Sequence, residues 1–219
     1  MTKADVSGDR AARTRSALID AAIAHFGKRG YDAVTTREIA AAADTNVSSI
    51  KYHFGGKEEL YGAALENVVA EIQALIDPAL TVLTQKIAWA GRDKAVLRTL
   101  ARDFATNWCR AVLGDRKLQR RIPCIVRELI APSAHFELIY DGFFRRLYDA
   151  LAGLIAGMHG MPVTAPETRV RTHALVNVLL GFVEGESIFW RHMGWKRYTP
   201  DRIEVILPTV AETFVAALG

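Results

Sequence analysis

The sequence predicts an all-α protein: a small three-helix domain at its N-terminal end, then a larger helical domain, about nine to ten helices together. Three observations carry this. Apolar residues recur at three- and four-residue spacing through most of the 219 residues, and 50% of the chain is hydrophobic, enough for a sizeable core. Strand-like alternation is absent, and turn signals fall at intervals that suit helices. Between Thr35 and Tyr61, two short and separately capped helices are joined by a turn of a few residues.

Residues 1–9 are polar and read as a disordered arm. From Arg10 to Arg29, Leu18, Ile19, Ala22, Ile23 and Phe26 form the stripe of a supporting helix, which Gly30 ends. Thr35 and Glu38 have the spacing of a capping box, which starts a short helix over Thr36–Ala43. Asp44-Thr45-Asn46 breaks it, because short polar side chains compete for backbone bonds. Asn46 then caps a second helix over Val47–Phe54, ended by Gly55-Gly56. Ile39, Ala43, Ile50 and Phe54 face the small core. Ser48, Ser49, Tyr52 and His53 face outward, and Val47 and Lys51 lie at the boundary. This is a helix-turn-helix, whose second helix enters the DNA major groove. Serine hydroxyls bond base edges weakly, whereas a lysine can contact guanine. Tyr52 and His53 suit phosphates, though His53 also fits a packing or capping role.

A long helix from Lys57 to Asp77-Pro78 links this domain, residues 1–56, to the second, residues 57–219. Lys57 in its first turn opposes the helix dipole. That arrangement is tolerated where a phosphate sits at the helix end, held by backbone N–H groups and the ammonium. Thr36 and Arg37 begin the preceding short helix and suit the same task. Arg10, Arg13 and Arg15 fit backbone contact or a solvated face equally well.

Further helices follow. Asp93–Leu113 carries Val96, Leu97, Leu100, Phe104, Trp108 and Val112 on one face. Leu118–Ala131 holds Pro123, which either kinks it or starts its main part. The basic run Arg116, Lys117, Arg120 and Arg121 reads as a solvated face. Ser133 caps a helix over Ala134–Met158. Helical stretches over Pro166–Arg191 and Asp201–Leu218 complete the chain. Phe104, Trp108, Phe143, Phe144 and Phe182 lie on different helices near Arg127, Glu128, His173 and Asn177. That combination suits a small-molecule cavity, and suits equally a filled core with hydrogen-bonded polar groups.

Net charge is +4 with a pI near 9.2, compatible with nucleic acid. Residues 1–60 carry nine Lys/Arg against eight Asp/Glu, so the DNA reading rests on where charges sit. Cys109 and Cys124 fit no zinc or disulfide spacing and read as reduced thiols of a cytoplasmic protein. The first residues lack the apolar core of a signal peptide, and no apolar run approaches bilayer length. No phosphate loop, nucleophile elbow or metal motif appears, so no enzyme, cofactor or metal is expected.

The segments TTREIAAAA and YHFGGKEELY, with the turn between them, resemble the N-terminal domain of the TetR/AcrR transcriptional regulators. The later Arg127-Glu128-Leu129 and Ala131-Pro132-Ser133 resemble the branch with a CecR-type C-terminal domain. Asp44 stands where that family usually has Gly, and Ser48 to Lys51 replace the commoner Gly-Thr-Leu-Tyr. The resemblance places Val47 and Lys51 at DNA with Thr36, Arg37, Ser48, Ser49, Tyr52, His53 and Lys57. It implies a homodimer reading a palindromic double-stranded operator, most commonly as a repressor released by a small-molecule inducer. The implied ligand residues are Phe104, Trp108, Arg127, Glu128, Phe143, Phe144, His173 and Asn177. The implied dimer interface holds Leu175, Val178, Leu179, Phe182, Ile206, Val210 and Phe214. The alternative is a helical DNA-binding regulator without a small ligand, constitutive or controlled by a protein partner.

Overall fold

The computed structural model describes the backbone of residues 3–219 and the side chains of residues 9–219. Every regular element among the described residues is a helix. α1 (Lys3–Arg29) begins earlier than expected. Ala11, Ala12 and the Arg13–Asp9 ion pair, four residues apart, favour helix there. The disordered arm is therefore corrected from Lys3 onward, and residues 1–2 lie outside the described residues.

The capping box forms: the Glu38 N–H donates to the Thr35 hydroxyl, and the Thr35 N–H donates to the Glu38 carboxylate at 2.8 Å, opening α2 (Thr36–Ala42). Asp44 takes a left-handed φ of 51°, which a short polar side chain tolerates better than most. Asn46 caps α3 (Val47–Phe54) by accepting from the Ser49 N–H at 3.0 Å. Gly55 ends α3 at φ 94°, a conformation that needs no Cβ. Ile39 and Ile50 are buried as expected, but Ala40 fills the position given to Ala43. Ala43 has become the C-cap, and Phe54 is only half-buried.

α4 (Lys57–Ala90) runs straight through Pro78. An interior proline costs about 3 kcal/mol, while each buried leucine contributes about 1.5–3 kcal/mol. Leu80 and Leu83, both buried beyond the proline, outweigh it. Asp93 caps α5 (Lys94–Gly114). Asp115 accepts from the N–H groups of Lys117 and Leu118, so α6 (Arg116–Ile130) starts ahead of Leu118 and carries Pro123 inside it.

The chain forms two compact units, and the division expected at residue 56 does not separate them. The first joins the chain up to Glu71 with Arg120–Ile139, and so takes in most of α6 and α7 (Phe136–Ile139). One face of α6 is bonded into it. Arg121, expected in solvent, is 8% exposed and reaches Asp20 at 2.6 Å, Asn67 at 2.9 Å and Glu71 at 3.0 Å. Arg127 donates to the carbonyls of Gly27 and Lys28, both at 2.8 Å, supplying donors to the last turn of α1. Glu128 accepts from the Tyr61 hydroxyl at 2.5 Å and from Ser133. A Cβ on Gly27 would stand 3.3 Å from the Pro123 side chain and the Cys124 backbone, so α1 and α6 meet at a residue without one.

The second unit holds the remaining helices. A π-helical turn over Tyr140–Phe144 interrupts the single helix expected over 134–158 and leads into α8 (Arg145–His159). The Gln73 amide donates to the Gly142 carbonyl at 2.8 Å within that turn. Gly185 divides the expected 166–191 helix into α9 (Pro166–Glu184) and α10 (Glu186–Met193). α11 (Pro200–Ala217) packs along α5 and against α9, and α8 packs on α9. This packing buries Leu175, Leu179, Ile206, Val210 and Phe214 within the chain and half-buries Val178 and Phe182. Leu175, Leu179, Ile206, Val210 and Phe214 are therefore corrected from dimer surface to core, while Val178 and Phe182 keep part of their surface exposed: periodicity identifies a buried face but not what buries it. No described helix is long and apolar enough to cross a membrane.

Arg121→Ala should destabilise the first unit by about 2 kcal/mol, below the ~3–5 of a fully buried pair because Asp20 stays half-exposed. Urea unfolding followed by circular dichroism checks this, and an unchanged midpoint would remove Arg121 from that role.

Candidate nucleic-acid interface

The helix-turn-helix presents one exposed face of α3 and the first residues of α2. Val47 is 41% and Tyr52 81% exposed. Ser48, Lys51 and Arg37 are also exposed, and Thr36 and His53 half-exposed. Tyr52 and His53 meet edge to face, ring centres 4.9 Å apart. An exposed tyrosine beside free cations can touch a base methyl or a phosphate, and none of it is needed for the core.

The two serines differ from the rest. Ser48 donates to Asn46 Oδ1 at 2.5 Å, and Ser49 bonds both Asn46 and Thr45. Their donors are committed to the cap of α3. Ser48 keeps an exposed oxygen able to accept, while half-buried Ser49 is mainly part of the turn. The exposed groups of α3 not committed to its cap are thus Lys51, Val47 and Tyr52.

Salt bridges orient the start of α2. Arg29 donates to Glu38 at 2.8 Å, and this bond, then the Thr35 bonds, hold the Glu38 carboxyl down at about 2. Arg15 lies 5.1 Å from the centre of the Phe54 ring, tying α1 to the end of α3. Arg13 is paired with Asp9.

Lys57 sits differently from the dipole argument. Glu58 and Glu59 share the first turn of α4 and already complement the helix dipole. The Lys57 ammonium lies 4.2 Å from the centre of the Tyr31 ring and forms no ion pair among the described residues. Tyr31 was missed by sequence reasoning; the aromatic after Gly30 was its only trace.

The eight expected ligand residues do not form one pocket. Phe104, Trp108, Phe143 and Phe144 converge in the second unit, with Trp108 stacked on Phe143 at 5.9 Å. The Trp108 indole N–H is buried without an acceptor among the described residues. A cleft of about 350 Å³ opens beside Phe104, lined by Pro78, Ala79, Val82, Leu83, Lys86, Leu100, Asp103 and Asn107. Arg127 and Glu128 lie instead in the first unit, where they bond to Gly27 and Tyr61 and line a separate cleft of about 450 Å³. His173 and Asn177 are exposed on α9; His173 bonds the Tyr148 hydroxyl at 2.6 Å, and Asn177 donates to the His173 carbonyl. The outward turn of α9 removes both from the aromatic cluster. Burial pushes the Cys109 and Cys124 thiols up to about 12, which leaves them inert at neutral pH.

Comparison with known proteins matches two separate stretches of the chain. Residues 18–64 match the family described as bacterial regulatory proteins, tetR family. Residues 97–219 match the C-terminal domain of the HTH-type transcriptional dual regulator CecR. The chain is 31% identical to the dual regulator CecR of Shigella flexneri, over 94% of its own length and 90% of the relative's. Among solved structures, NalD, the secondary repressor of the MexAB-OprM multidrug efflux pump in Pseudomonas aeruginosa, is 18% identical with a TM-score of 0.60, covering 94% of this chain and 97% of its own. AibR, solved with isovaleryl coenzyme A and operator DNA, is 16% identical with a TM-score of 0.59, covering 93% and 96%.

Glu38→Gln should lower thermal stability at neutral pH. The folded carboxyl lies below its ordinary value, so its stabilisation is complete above about 4.5 and is lost as pH falls towards about 2. Melting curves of the two proteins should therefore converge across that window, and a gap that persists at the acid end would show the carboxylate is not the source.

Proposed function

The chain belongs to the TetR family of bacterial regulatory proteins, with a CecR-type C-terminal domain, and on that basis we propose that it is a dimeric, sequence-specific operator reader released by a small molecule. The observation that carries DNA reading is the α3 face itself: Val47, Lys51 and Tyr52 stand in solvent while Ile50 anchors the helix. Lys51 contacts a base, most simply guanine; Arg37, Thr36, Lys57 and His53 contact phosphates; Tyr52 serves either role.

Two copies are needed to read a palindrome, and their contact falls to the faces of α9 and α11 that remain exposed. Val170 at 69% and Val205 at 62% exposure, with Ala174 and Thr209, are available there. A small ligand suits the second unit because the buried Trp108 N–H has no acceptor among the described residues, a deficit of about 1–3 kcal/mol that a ligand oxygen would relieve. Release works as a shift between dimer states with different recognition-helix spacing, the ligand favouring the one that misfits the operator. In most of the family this means repression, and the Shigella relative is described as a dual regulator.

A second reading, regulation without a small ligand, has its own support. The rings of Phe104, Trp108, Phe143 and Phe144 pack against one another as a filled core does.

Selection from a random duplex pool should enrich a palindrome, and no enrichment by a folded dimer free of copurified ligand would overturn the reading. Lys51→Ala should relax preference at one operator position at a cost of about 1–3 kcal/mol. Arg37→Ala should weaken all duplexes alike and lower the salt slope by about one unit. Equal, sequence-independent losses for both would take specificity away from Lys51.

A further inference from the structure

We propose that Tyr31 is a positioning residue for DNA binding: its ring is the platform that holds the Lys57 ammonium ready for a phosphate at the start of α4. The inference rests on the reading of Lys57 as a phosphate contact. Lysine is a flexible four-carbon stem, and a freely moving one loses most of its rotamer freedom on gripping a phosphate. A ring face within cation–π reach removes part of that cost beforehand.

The surroundings make the platform rigid. Tyr31 is wedged between Phe26, ring centres 5.8 Å apart, and Tyr61, 5.1 Å apart. Its hydroxyl faces Glu58, which the hydroxyl and then His135 hold below the usual carboxylate range. His135 Nε2 is 3.0 Å from Glu58 Oε1. Glu58 is thereby turned to Tyr31 and His135, and Lys57, next to it in sequence, is felt by Glu58 through its charge but forms no ion pair among the described residues. The lysine is thus restrained by a π face, which holds it only weakly and yields readily to a phosphate. An ion pair would have to be broken first.

The test uses the full-length protein and a mixed-sequence duplex, because a phosphate contact is independent of sequence. The salt dependence of binding is measured by fluorescence anisotropy for wild type, Lys57→Ala, Tyr31→Leu, Tyr31→Phe and the Lys57→Ala/Tyr31→Leu pair. Lys57→Ala should lower the slope by about one unit; Tyr31→Leu should keep the slope but weaken binding about 2- to 5-fold, the pair should bind no more weakly than Lys57→Ala alone, and Tyr31→Phe should bind as the wild type does. Wild-type affinity in Tyr31→Leu, with the loss confined to Lys57→Ala, overturns the platform and leaves the phosphate reading standing. A full slope in Lys57→Ala overturns both. Should Tyr31→Leu fail to fold, the wild-type protein still decides: the Lys57 ε-methylene protons should be ring-current shifted upfield in its NMR spectrum, and ordinary shifts overturn the proposal.

Discussion

A single guanidinium stitches the DNA-reading unit together. Arg121 reaches Asp20 on α1 and Asn67 and Glu71 on α4 from a helix that enters the chain much later. Charge burial of this kind is tolerated because every direction of the planar fork meets an acceptor. With Arg127 on the last carbonyls of α1 and Glu128 under Tyr61, α6 is bonded in along its length. The helix-turn-helix is small and buries little by itself, so its supporting helices depend on this strap for alignment. The aromatic group of Phe26, Tyr31 and Tyr61 closes the same corner from inside.

The parts of the fold governed by local chemistry were legible in the sequence. The Thr35–Glu38 box, the Asn46 cap, the Gly55 stop and the α1 stripe all follow from neighbours a few residues away, and each forms. Errors arose where a distant partner decides. Pro78 looked like a stop until Leu80 and Leu83 found burial beyond it. Arg121 looked solvated because its acceptors lie on other helices. The stripes of α9 and α11 were real but pack within the chain, as α9, α11 and α5 share one core. At the site, exposure of Tyr52 could be read from helical phase and Lys51 was left at the boundary, whereas the Tyr31–Lys57 contact spans a loop and two short helices.

The second unit combines a dense aromatic core with an unmet polar group. Phe104, Trp108, Phe143 and Phe144 supply rigid apolar walls, and the π-helical turn places the last two side by side with ring centres 4.7 Å apart. Such turns recur at functional sites because they displace side chains from the regular helical phase. Here the result is a cluster whose only buried polar hand, the Trp108 N–H, is empty among the described residues of that cluster. A ligand chosen by this site would be mostly apolar and would carry an acceptor.

The strap also sets an order of events at birth. Chains are made from the N-terminal end at about 5–20 residues per second, and domains tend to fold as they emerge. The unit that begins this chain is incomplete until Ile139 has been made. All of α5, which belongs to the other unit, is synthesised in between. During that interval Leu18 and Ile23 have helical neighbours, but Cys124 and Arg121 have not yet arrived to cover α1. A chain ending before Arg120 would lack the residues that close this unit over α1.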